Sequence, residues 1–84
     1  MSSPKLADIA ANNLRGERAR RRLTQAQLAE MLGWPRTSVY DVESGRRRLS
    51  LDDLAAICRV LGVPLAELLR GADDDDLRAL GLVR

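Results

Sequence analysis

The sequence predicts an all-α fold: a compact bundle of five helices, followed at the C-terminus by either a short sixth helix or a mobile tail. Three observations lead there. Apolar residues recur at helical spacings of three and four, and no stretch reads as a credible strand. Residues that end or start helices punctuate that pattern at short intervals: Thr24, Gly33, Pro35, Gly45, Ser50, Gly62, Pro64 and Gly71. With no Phe, one Trp and one Tyr, the core must be built from Leu, Val, Ile and Ala.

The elements follow in order. Met1 to Pro4 is a short polar arm. The first helix should run from about Lys5 to Arg21, with Leu6, Ile9, Ala10 and Leu14 as its apolar stripe. It ends in Arg20, Arg21 and Arg22, cations suited to the negative end of a helix dipole. The second helix should span Gln25 to about Leu32. Thr24 is its N-cap and Gln27 the partner that completes a capping box. Gly33 takes the left-handed conformation at its end. Pro35 cannot continue that helix but suits the start of the next, which should cover about Arg36 to Glu43.

Ser50 caps the fourth helix with Asp53 as its capping-box partner. Leu51, Leu54, Ala55, Cys58 and Leu61 form its expected buried stripe, and Gly62 ends it. The fifth helix should run from about Leu65 to Leu69 and close at Gly71. Residues 1–71 thus form one domain, and Ala72 to Arg84 an acidic and apolar tail. In that tail Leu77 and Leu80 could edge a short helix. At 84 residues a single core is marginal, burying roughly 60% of the unfolded chain's surface.

Within the bundle, residues 25–44 read as a helix-turn-helix. Leu28, Ala29 and Leu32 share one face of the first helix, and small Ala29 lets two steeply crossing helices approach closely. Val39 and Val42 bury one edge of the second helix, which leaves Arg36, Thr37, Tyr40 and Asp41 facing outward. A helix offered in this way can enter the major groove of DNA.

Charge supports that reading. The net charge is only +2, yet residues 15–48 carry nine Arg against four acids, a balance of +5. The run Arg46, Arg47 and Arg48 directly follows the second helix of the motif. As a solvated charge run it needs no function; beside a reading helix it reads as a phosphate or minor-groove contact.

Other chemistries find little support. The chain has no His and one Cys, so the commonest general base and any internal disulfide are missing. No phosphate-cradling Gly loop or activated nucleophile is present, and neither catalysis nor a cofactor is expected. Asp73 to Asp76 lack the Gly and distal Glu of a Ca²⁺ loop, so no metal is expected. No apolar run approaches the ~20 residues of a membrane span. A soluble, cytoplasmic, nucleoid-associated protein is expected.

The stretches LTQAQLAEMLG (Leu23–Gly33), SVYDVESGRRRLSLDDL (Ser38–Leu54) and LGVPLAELL (Leu61–Leu69), together with Arg18, resemble the Cro/CI-type (XRE) helix-turn-helix proteins of bacteria and phages. The resemblance covers about Leu14 to Leu69. It implies a five-helix phage-repressor type of domain and a dimeric transcriptional regulator, a repressor or autoregulator, reading two half-sites of a palindromic operator. By position it implies base reading by Arg36, Thr37, Tyr40 and Asp41. It implies phosphate contacts from Thr24, Gln25, Ser38, Ser44, Arg46, Arg47 and Arg48. Arg18 and Glu43 match a structural pair joining the first and third helices.

Three residues depart from the pattern. Pro35 replaces a capping Ser or Thr, so the third helix should lack a side-chain cap. Arg22 replaces the usual Gly at the end of the first helix, where a left-handed Arg is strained. Asp41 places an acid on the reading face, where it could accept from a cytosine amino group, orient Arg36 or repel phosphate. Trp34 reads as an apolar plug in the turn, and Cys58 as an inert core residue. A reading of another class is an antitoxin-like module that binds a protein partner through its tail.

Overall fold

The computed structural model describes residues 5–83 and, among them, six α-helices and no strand. They are α1 (Leu6–Arg20), α2 (Gln25–Leu32), α3 (Ser38–Glu43), α4 (Leu51–Leu61), α5 (Leu65–Leu68) and α6 (Asp74–Ala79). The arm Met1 to Pro4 and the terminal Arg84 lie outside the described residues. No helix among those described is long and apolar enough to cross a membrane.

One core joins the first five helices. Leu14 of α1, Leu28 and Ala29 of α2, Val39 and Val42 of α3, Ile57 and Leu61 of α4 and Leu68 of α5 are buried together. α1 lies along α5 and α3, while α2 packs on α3 and α4. Because α2 and α3 meet through Ala29, Val39 and Val42, the side of α3 away from the valines has nowhere to pack.

The local signals at helix ends hold. Thr24 Oγ1 accepts from Gln27 N–H at 3.0 Å, and Gln27 Oε1 accepts from Thr24 N–H at 2.8 Å. Ser50 and Asp53 make the same reciprocal pair at 3.0 and 2.9 Å. At the end of α2, Gly33 takes φ 71°. That lets Trp34 N–H reach Ala29 C=O at 2.9 Å and closes the last turn. The end of α1 is built alike, with Leu23 N–H on Arg18 C=O at 3.2 Å, but the left-handed residue there is Arg22 at φ 55°.

Two expectations are corrected. α3 begins at Ser38, so Arg36 and Thr37 stand in the turn before it. Pro35 C=O accepts from Ser38 N–H at 2.9 Å, which makes residues 35–38 a single tight turn before the helical ladder starts. Thr37, in the N-cap position, gives no side-chain cap.

The second correction concerns the face of α4 that is buried. Ile57 and Leu61 are inside with Leu54 and Cys58 half-buried, while Ala55 is exposed and Leu51 is 84% exposed. The helix carries two overlapping apolar stripes, at 51/54/55/58 and at 54/57/58/61. Both have helical spacing, and only the position of α2 and α5 selects the second.

The tail adopts the helical option. α6 places Asp74, Asp75 and Asp76 in its first turn, where acids favour the positive end of the dipole, but it has no buried residue. Leu80 and Val83, which follow α6, are exposed apolar residues.

Three ties, one local and two tertiary, escaped the pattern reading. Glu17 is buried and bonded to Arg20 and Arg21. Arg21 Nη2 also reaches Leu61 C=O at 3.0 Å, fastening the end of α1 to the end of α4. Asn13 Nδ2 donates to the carbonyls of Leu68 and Arg70 at 2.7 and 2.9 Å, which caps α5 from α1. The bond from Arg21, with the charges of Arg20 and Arg21, outweighs burial and holds the Glu17 carboxyl below the ordinary range.

Candidate nucleic-acid interface

The turn between α2 and α3 and the loop after α3 form one edge of the molecule. Val39 and Val42 are fully buried, so the exposed positions along this edge are Arg36, Thr37, Tyr40 and Ser44. Tyr40 is 48% exposed, which places it outward. Asp41 is half-buried and makes no ion pair with Arg36. Its carbonyl instead collects the N–H groups of Arg46 and Arg47 at 2.8 and 3.0 Å and the Ser44 hydroxyl at 3.2 Å. Asp41 therefore shapes the basic loop through its backbone.

The edge is held from behind by Glu43. Arg18 Nε donates to Glu43 Oε2 at 2.7 Å and Arg18 Nη2 to Oε1 at 3.0 Å, a bidentate fork. Gln25 Nε2 adds a third donor to Oε1 at 3.0 Å. Arg18 Nη1 also donates to Leu23 C=O at 2.7 Å. One carboxylate thus joins α1, α2 and α3, with only 2% of its side chain exposed. Burial alone would raise the Glu43 carboxyl. The bonds from Arg18 and Gln25, with the charges of Arg18 and Arg15, outweigh it and hold the group below its ordinary range. The same bond pushes the Arg18 guanidinium further up.

Three of the residues expected to contact phosphates are engaged within the fold. Gln25 has its side-chain donor on Glu43 and faces inward, because Oε1, which already accepts from Arg18 Nη2, has a second lone pair to accept it. Ser38 is buried beside Val39. Arg47 is half-buried: its Nη2 lies 3.0 Å from Asp53 Oδ1, and its guanidinium carbon sits 4.4 Å from the centroid of the Trp34 ring. Trp34 is accordingly a half-buried plug that also carries a cation on its face.

Thr24, Ser44, Arg46 and Arg48 are exposed, as is Arg36. Among the described residues Arg36, Arg46 and Arg48 have no ion-pair partner. Arg36 opens a shallow groove of about 310 Å³ with Ala26, Gln27, Glu30 and Trp34, between α2 and the turn.

Residues 14–68 match the protein family described as Helix-turn-helix. The chain belongs to this family. Over 64 residues it is 34% identical to control protein C.SmaI of Serratia marcescens, covering 76% of each chain. Its fold is similar to that of the hypothetical transcription factor NHTF from Neisseria. There the TM-score is 0.73 and the identity 28%, over 95% of this chain and 93% of the other. It is also similar to the restriction-modification controller protein C.AhdI from Aeromonas hydrophila, with a TM-score of 0.67 and 31% identity over 74% and 94%. This helix-turn-helix protein is a DNA-binding transcriptional regulator. The family match ends at residue 68, so it includes α2, α3 and the α4–α5 pair but not α6.

Proposed function

We propose that the chain is a homodimeric repressor or autoregulator, without enzymatic activity, that binds a palindromic operator in the cytoplasm. Residues 1–71 form the DNA-binding unit, and residues 72–84 an appended tail. Arg36 and Thr37 read base edges from the turn, with Tyr40 beside them and Asp41 at the margin. Thr24, Ser44, Arg46 and Arg48 hold phosphates. The observation that carries this reading is the distribution of cations. Arg18, Arg21 and Arg47 are bound to carboxylates of the fold, whereas Arg36, Arg46 and Arg48 stand exposed around one protruding edge and are unpaired among the described residues. Control of a restriction-modification system is the biological setting favoured by the likeness to C.SmaI and C.AhdI.

The dimer seam is assigned to the uncovered face of α4. Leu51, Leu54, Ala55, Cys58 and Leu65 line an apolar groove there. Asp52 and Arg59 lie two turns apart on α4, both exposed and unpaired among the described residues. Two antiparallel copies of α4 would bring Asp52 of one against Arg59 of the other, over the small Ala55. Burial pushes the Cys58 thiol up, which suits it to packing there. Leu51→Glu should keep the fold and raise the dimer dissociation constant measured by sedimentation. An unchanged constant moves the seam elsewhere, to the exposed Leu80 and Val83 of the tail for instance.

The test of the whole reading is selection of bound sequences from random duplex DNA. Enrichment of an inverted repeat is the expected result. Enrichment of nothing, together with capture of a protein by the tail alone, would favour the antitoxin-like module.

A further inference from the structure

We propose that Arg47 is a positioning residue for the reading edge and not a DNA ligand. Its guanidinium clamps the turn ahead of α3 to the N-terminus of α4 and so sets where Arg36 stands. The inference rests on the reading of Arg36 as a base contact.

Both ends of Arg47 are fixed. Its backbone N–H donates to Asp41 C=O at 3.0 Å, and its Nη2 binds Asp53 Oδ1 at 3.0 Å. Asp53 is itself immobile, because its other oxygen accepts from Ser50 N–H and its own N–H donates to Ser50 Oγ. Asp53 has 14% of its side chain exposed and Arg47 has 35%. The opposite face of the clamp is Trp34, 4.4 Å away and tied to α2 by its N–H on Ala29 C=O.

The consequence for reading follows from chain geometry. Only Pro35 separates Trp34 from Arg36. The proline ring fixes φ at that link, so the direction in which the chain leaves Trp34 largely sets the position of Arg36. A displaced indole displaces the base contact. α4, the other anchor of the clamp, also carries Leu51 and Leu54 of the proposed seam, so the clamp couples the reading edge to the two-fold axis.

Electrostatics argue against Arg47 as a phosphate ligand. Counterion release scales with the phosphate charge a protein newly neutralises. Arg47 already has Asp53 as its counter-charge. To reach DNA it would leave both that carboxylate and the indole face, whereas its neighbours Arg46 and Arg48 are exposed and unpaired.

The experiment uses the full chain, an operator enriched by selection with the wild type, and a scrambled duplex of equal length. Affinity for both is measured across a salt series for Arg47→Ala, Trp34→Leu and the Ala/Leu double variant. We expect Arg47→Ala to leave the slope of log affinity against log salt unchanged. The operator-to-scrambled ratio should fall at least about five-fold, the low end of the effect of one lost base contact. Trp34→Leu should give the same loss, and the double variant no more than either alone. A slope shallower by about one with the ratio preserved makes Arg47 a phosphate contact and overturns the proposal. If Arg47→Ala does not fold, Trp34→Leu decides: it leaves the charge of Arg47 in place and removes the ring it rests on, so a preserved ratio contradicts the clamp and a fallen ratio supports it. A wild type that enriches no operator removes the base-reading assignment and the clamp together. An enriched operator with a changed slope removes the clamp alone.

Discussion

Arg18 and Arg21 are tied into the bundle by carboxylates, and Arg36, Arg46 and Arg48 stand on its rim; the same side chain has different partners in the two places. Arg18 grips a carboxylate of which 2% is exposed, and Arg21 binds Glu17, a residue 5% exposed, together with the last carbonyl of α4. The rim arginines have no carboxylate partner among the described residues. The difference teaches that the nine arginines of residues 15–48 are not all available to DNA. Arg18, Arg20, Arg21 and Arg47 are engaged within the fold, and of the five others Arg36, Arg46 and Arg48 are gathered where α3 and its flanking turns protrude. A basic sequence segment therefore measures binding potential only after its internal pairs are subtracted.

The largest expected effect comes from breaking the interior set. Glu43→Ala leaves Arg18 and Gln25 without their acceptor and should lower stability by about 3–5 kcal/mol in denaturant titration. A loss under about 1 kcal/mol would place the pair with ordinary surface bridges.

Acid should act on the same set more gradually. The Glu43 and Glu17 carboxyls sit below their ordinary range in the folded chain. Their contribution is complete above the unfolded-state pKa and is lost as pH falls through the folded one. The melting temperature should hold from neutral pH to about 5 and decline below it, with a shallower decline in Glu43→Gln. Equal acid slopes for the variant and the wild type would contradict the assignment of this effect to Glu43.

Arg22 tests the boundary between the sets. It is exposed and unpaired like a rim arginine, yet it stands at φ 55° where α2 has Gly33. Arg22→Gly should stabilise the fold by about 1 kcal/mol by relieving left-handed strain, and leave DNA affinity unchanged. A weaker salt dependence in this variant would add Arg22 to the binding set. Arg46→Ala and Arg48→Ala should each give the smallest change, weakening all sequences alike and reducing the salt slope by about one.

What could be read from the chain was what local chemistry encodes. The capping boxes at Thr24/Gln27 and Ser50/Asp53 close within three residues, and the left-handed positions at Gly33 and Arg22 depend on one residue each. The Arg18–Glu43 pair was legible only through family resemblance, since 25 residues separate its members. Glu17 and Asn13 gave no signal, because an acid among arginines at the end of a helix and an Asn within a helix both look solvent-facing until a neighbour arrives. Arg47 was hidden by its setting: among three consecutive arginines nothing local distinguishes the one that meets an indole thirteen residues earlier. The face of α4 was misread for a similar reason. Two stripes with equal helical spacing can be separated only by the partners that cover one of them.

The central claim is that the rim reads sequence through Arg36. An arginine there can donate to guanine O6 and N7 at once. The direct measurement is binding of wild type and Arg36→Ala to the selected operator and to every single-base change in one half-site. The predicted result is a loss of about 1–3 kcal/mol per half-site, with preference relaxed at one guanine and kept elsewhere. An equal loss on every duplex would make Arg36 a phosphate contact and contradict the account.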